Sequence, residues 1–368
     1  MKFLTFYLFT FTPFIFIFLF LSHASLLAQN KEEHLRLIHA DVLQRETIGQ
    51  RVQQKLEGHV KFQQGSTIIQ CDLATQIIDQ EPAALIGHVK IFDENKTLVA
   101  DTVYFYQKEA KQVAVGNVIS ITESDTTTAD RLTYFEKENK IISESNVRII
   151  NPEERTILTG DYVEYWRNEK YGKVWHNPVL IKLDSLGKET MTILGDTMHF
   201  FNGGKRTLVV GNVQIIQSGT HATCKRAEYF REEGKTLLTE HPKVVQKNRQ
   251  ISGDTLWLYL NDSQLSRAHV IGNALATSDA DTLNQGRWVN KLSGHTMNFY
   301  FENKKLTKVI IEQQATSVYH NIKDQQYKGV NEVSGDKIVI LLNNGEAQRI
   351  LVTSIPEFSS GKYSPPRL

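Results

Sequence analysis

A two-part motif recurs along this chain at a spacing of about 29 residues, and it restricts the fold more than any other property of the sequence. The first part appears as Gly58-His59-Val60, Gly87-His88-Val89, Gly116-Asn117-Val118, Ser145-Asn146-Val147, Gly211-Asn212-Val213 and Gly272-Asn273-Ala274, with degenerate copies at His176-Asn177 and His241-Pro242. The second runs through Cys71-Asp72, Ala100-Asp101, Ala129-Asp130, Gly160-Asp161, Gly195-Asp196, Cys224-Lys225, Gly253-Asp254, Gly294-His295 and Gly335-Asp336. Periods of this length belong to stacked architectures in which each unit buries its apolar face against the next.

Charged or Gly/Asn-rich turns, such as Asp93 to Lys96, Glu136 to Asn139 and Asn202 to Lys205, fall roughly every 14 or 15 residues, with β-branched and aromatic residues alternating between them. The spacing predicts an antiparallel meander with one motif step at the middle of each strand. Ahead of the aspartate step the apolar position lies three residues upstream (Leu98, Leu158, Ile193, Ile251, Leu292), and after it two and four residues downstream (Val103 and Phe105, Leu132 and Tyr134, Val163 and Tyr165). Odd offsets thus become even. A single apolar face survives that change only if the strand carries an extra residue at the step, which also bends it. Strands bent in register make a V-shaped trough with an apolar lining, and nine repeats at about 9.6 Å each would extend on the order of 85 Å.

Among 368 residues the 42 basic and 41 acidic side chains balance, so nothing attracts nucleic acid by charge. Met1-Lys2, the apolar run Phe3 to Leu21 and the small-residue exit up to Ala28 read as a secretory signal over 1–28; a retained membrane anchor over 3–21 is the alternative. The first reading exports the chain and the second tethers it to a membrane. A lead-in at 29–55 and an irregular tail at 356–368 flank the repeats at 56–355, which divide into units of 56–190 and 191–355. The two cysteines, Cys71 and Cys224, occupy the same small-residue slot five repeats apart and should not pair.

The sequence offers no constellation for catalysis, no metal-ligand spacing and no cofactor fingerprint. The recurring aspartate follows a small residue at equivalent points and gives way to Lys225 and His295, which suits hydrogen bonding to backbone groups at the bend better than chemistry. Aromatic residues from Tyr104 to Phe230 gather just before turns, where they either pack as core and rim or line a groove for apolar chains.

The repeated Gly-Asn/His-Val, together with Leu98-Val99-Ala100-Asp101-Thr102-Val103-Tyr104-Phe105 and its sister segments from Leu56 to Leu342, resembles the OstA-like (LptA) family of lipopolysaccharide-export proteins, which includes relatives of LptC and the N-terminal domain of LptD. The resemblance implies an all-β, elongated bent-sheet β-jellyroll, or β-taco. It also implies a non-enzymatic role without cofactors, in the periplasm, or at the inner membrane if residues 3–21 are retained as an anchor. The chain carries more repeats than one such domain usually has, and insertions at 279–290 and 321–330. The implied cargo is lipopolysaccharide, its lipid A acyl chains lying against Val89, Ile91, Val103, Phe105, Val118, Leu132, Tyr134, Val147, Ile149, Val163, Tyr165, Met198, Phe200, Val213, Ile215, Leu256 and Leu258. Implied partners are inner-membrane and outer-membrane export components reached by β-augmentation at the end strands, and further copies of the chain in head-to-tail association. The competing readings are an exported structural or adhesive β-solenoid without lipid cargo and a membrane-anchored LptC-like component.

Overall fold

The computed structural model describes residues 35–366, apart from 78–79, 262–263, 282–285, 304, 324–325, 344–345 and 356–358. The segment 1–28 read as an export signal lies outside the described residues. Among those described the chain is all-β, with 26 strands whose ladders are antiparallel and no helix. Contacts group them into two units, residues 35–187 with 197–204 and residues 188–196 with 205–366.

The bend in each strand is visible in its burial. In Thr97–Tyr106 the buried residues are Leu98 and Ala100 before Asp101 and Val103 after it; in Thr126–Phe135, Thr127 and Ala129 give way to Leu132 and Tyr134 across Asp130. The inward parity therefore flips by one residue at each aspartate, as the alternation required. The glycine strand compensates differently. Ile86 pairs with Thr102 and Val89 with Ala100, so Gly87 and His88 together oppose Asp101. Both adopt left-handed backbone, with φ of 79° and 44°, and Gly116-Asn117 and Gly211-Asn212 repeat the device. Two inserted residues leave parity unchanged, which keeps Leu85 and Val89 on one face. Glycine and asparagine are the residues that enter this region at least cost.

The repeat starts earlier and ends later than its sequence suggested. Arg36–His39 and Val42–Ile48 pair with Arg51–Gln64 around Ala40-Asp41, so the described part of the lead-in at 29–55 is already in register. Its signal was weak because Arg45 breaks the alternation and the strand has one neighbour among the described residues, where Leu37, Val42 and Leu43 are exposed. Within the tail at 356–368, Ser360–Ser364 forms a strand on Val330 to Ser334 and is not irregular. The insertion at 321–330 lengthens a hairpin, with Asn321 opposite Gly329. Its Tyr327 ring stacks on Trp288 of the other insertion, with centroids 4.7 Å apart and planes within 1°.

Candidate functional site

Sixteen of the seventeen residues assigned to the apolar lining are no more than 6% exposed. The exception is half-buried Phe105, whose cross-strand neighbours are Ala83 and Gln112. The former is too small and the latter too polar to cover a ring. In the unit holding residues 35–187 the set runs strand by strand from Val89 to Tyr165 and on to Met198 and Phe200; Val213, Ile215, Leu256 and Leu258 belong to the other unit. The arms meet across the trough in the first unit, where Leu158 from before a bend and Val163 and Tyr165 from after it line one cavity with Val174 and Phe200. That cavity measures about 10 Å³, room for at most one water.

The aromatic cluster divides by parity. Tyr134, Tyr165, Phe200 and Tyr229 point inward and are buried. Trp166 faces outward, its ring 5.2 Å from that of Tyr171, which in turn lies 5.1 Å from Phe201. Lys140 Nζ sits 4.6 Å from the Trp166 centroid on the same outer surface. Further inward residues, including Met297, Phe299, Ile311 and Ile338, are fully buried. Ile311 escapes a motif search because its bend is made by Gln313-Gln314, left-handed at φ of 62° and 57° without glycine or asparagine. Toward the arm tips the inward positions become polar: Gln112, Ser120, Thr127, Asn151 and Thr156 are buried in the apolar positions' alternation. The trough thus has an apolar floor and a polar lip.

At the opposite end, on the outside of the bend, the aspartates form a ladder. Asp101 Oδ2 accepts from Asn117 Nδ2 at 2.9 Å, and Asp130 accepts from Asn146 at 2.8 Å. Asp196 and Asp254 accept from Asn212 and Asn273. Histidine replaces the amide where Asp72 meets His88 Nδ1 at 2.6 Å and Asp41 meets His59 Nδ1 at 2.8 Å. The aspartates therefore bond chiefly the neighbouring strand's side chain, a correction to the expected backbone partners; Asp336, which accepts from the Ile355 amide, follows the expectation. The carboxylate bond holds both histidine pKa values above the ordinary range, and His59 followed by His39 lowers that of Asp41. Cys71 and Cys224 are free and buried, and burial pushes their thiols up to about 11 and about 12. Among the described residues no group of three His, Cys, Asp or Glu converges on a metal position.

These features match known proteins over part of the chain. Residues 100–264 fit the family described as LptA/(LptD N-terminal domain) LPS transport protein. A similar solved structure is LptH, the LptA homologous periplasmic component of the conserved lipopolysaccharide transport device from Pseudomonas aeruginosa, at 20% identity, covering 40% of this chain and 95% of that one with a TM-score of 0.29. No curated protein matches the chain.

Proposed function

We propose that the chain, whose residues 100–264 match the LptA/(LptD N-terminal domain) LPS transport family, works as such proteins do: it binds lipopolysaccharide and passes it on without bond chemistry, holding the acyl chains between the two arms of its bent strands. The observation that carries this reading is the one-sided apolar floor, kept in phase through every bend by paired bulges and buried along successive strands. At Leu158, Val163 and Tyr165 the cavity of about 10 Å³ is too small for an acyl chain, so there the arms part as the lipid enters. Lining then trades contact with the opposite arm for contact with lipid. Apolar surface stays out of water throughout, and each lipid methylene transferred contributes about 0.8 kcal/mol. Equivalent sites at each repeat let the cargo slide, and direction comes from partners in the inner and outer membranes, met at end strands in the periplasm. Such strands, including Val42–Ile48 with exposed Leu43, present ladder positions left open among the described residues.

Displacement of a fluorescent acyl probe from the full chain tests the reading. Intact lipopolysaccharide should displace the probe and its delipidated polysaccharide should not. Equal displacement by both would favour an adhesive solenoid that reads saccharide on its outer faces.

A further inference from the structure

Arg167 stands at the tip of an arm, two residues beyond Tyr165 on the inward-facing side of the strand Thr156–Trp166. Its guanidinium carbon lies 5.2 Å from the centroid of Tyr134, and Nη1 donates to Asn139 Oδ1 at a long 3.5 Å. Nε and Nη2 are buried and have no hydrogen-bond partner. Among the described residues no ion pair satisfies this cation: burial disfavours its charge, and only the phenols of Tyr134, which also shares a hydrogen bond with it, and of Tyr165 act to keep it. A buried guanidinium left in that condition is costly, and native proteins usually provide an anion or a hydrogen-bond network.

The opposite arm tip supplies a second cation. Lys96, in the turn between Ala83–Phe92 and Thr97–Tyr106, has its charge disfavoured by burial, favoured by the Asp93 carboxylate, opposed by Arg167 as a like charge and favoured more weakly by Glu123. Asp125 also lies at this lip, but its carboxylate takes a hydrogen bond from Ser124 Oγ at 2.7 Å, and burial favours its protonated form. Two cations therefore lie at the lip in this unit, Lys96 with the Asp93 and Glu123 carboxylates in reach and Arg167 with no carboxylate acting on it among the described residues.

Resting on the reading that acyl chains occupy the trough, we infer that Arg167 and Lys96 form a binding site for a phosphate on the head of the amphiphile, seated where the lip meets water. Arginine suits such a group because its fork bonds two phosphate oxygens at once. The apolar floor would then hold the chains while the lip reads the head.

Binding of the full chain to two probes tests this: lipid A carrying its phosphates, and the same lipid A after phosphatase treatment. The native chain should prefer the phosphorylated probe by roughly tenfold or more. R167Q should abolish the preference while leaving affinity for the dephosphorylated probe, R167K should retain part of it, and K96Q should reduce it from the other side even if R167Q folds poorly. Equal binding of both probes by the native chain, or a preference that survives both R167Q and K96Q, overturns the inference while leaving the trough reading intact. Failure to bind either probe overturns both.

Discussion

Gly116 cannot gain a side chain without moving Asp101: a Cβ there would lie 2.3 Å from the Asp101 Oδ2, and the backbone φ of 79° is already one that L residues avoid. Gly49, with φ of 65°, meets nothing within 4 Å. G116A should therefore destabilise the fold by about 1–3 kcal/mol and G49N by a few tenths, measured by denaturant unfolding. Equal costs would show that the aspartate ladder imposes no constraint. The histidine copies of the ladder make a pH prediction. His59 and His88 have raised pKa values in the folded chain, so their contribution is complete below the ordinary histidine value and fades as pH rises through the folded one. Asp41, lowered, adds stability above its ordinary range that is lost on acidification through its folded pKa. Replacing both histidines by asparagine, as in the sister repeats, should flatten the fall in unfolding midpoint as pH rises from the ordinary histidine value through the raised folded ones. An unchanged slope would place the pH dependence elsewhere. The buried thiols of Cys71 and Cys224, raised to about 11 and about 12, should resist alkylation until the chain unfolds.

For a whole strand, the single-residue bulge sets which side faces inward. Deleting Asp130 would send Leu132 and Tyr134, now 1% and 2% exposed, to the outer face and should abolish cooperative unfolding of their unit. Leu132→Ala leaves the phase intact and should cost about 2–5 kcal/mol. Comparable losses from the two variants would contradict the phase argument. This bend was legible in the sequence because apolar offsets change parity around a recognisable Ala/Gly-Asp pair. The left-handed pair opposite it was legible only where Gly, Asn or His marks it; Gln313-Gln314 achieves the same backbone with residues that carry no such signal. The edge at Ala40-Asp41 escaped for another reason, since a strand with one neighbour has less need of apolar alternation. The buried inward positions could be read from parity, but the close approach of the arms around Leu158, Val163 and Tyr165, where about 10 Å³ is left, could not, because it depends on how side chains of opposite arms interlock. Nor could the lip be read, as Arg167 in the sequence is one charge of a turn and only its surroundings reveal that its buried nitrogens lack a carboxylate.

Across the whole molecule, both units carry the same kind of inward face, apolar in the floor and polar toward the tips, with Gln217, Thr220 and Thr236 repeating in one unit what Thr127, Asn151 and Thr156 do in the other. A solenoid needing only stability would gain by filling these tip positions with apolar side chains, since buried hydroxyls such as those of Thr156, Thr207 and Thr236 have no hydrogen-bond partner. A polar lip over an apolar floor instead matches the two ends of an amphiphile. The most direct measurement places a photoreactive amino acid singly at inward Phe105, Tyr165 and Phe200 and at outward Lys173 and Phe201, then looks for lipopolysaccharide adducts in cells. The trough predicts adducts from the inward three and none from the outward two. Adducts absent from every inward position, or equally frequent from both faces, would contradict an apolar cargo held between the arms.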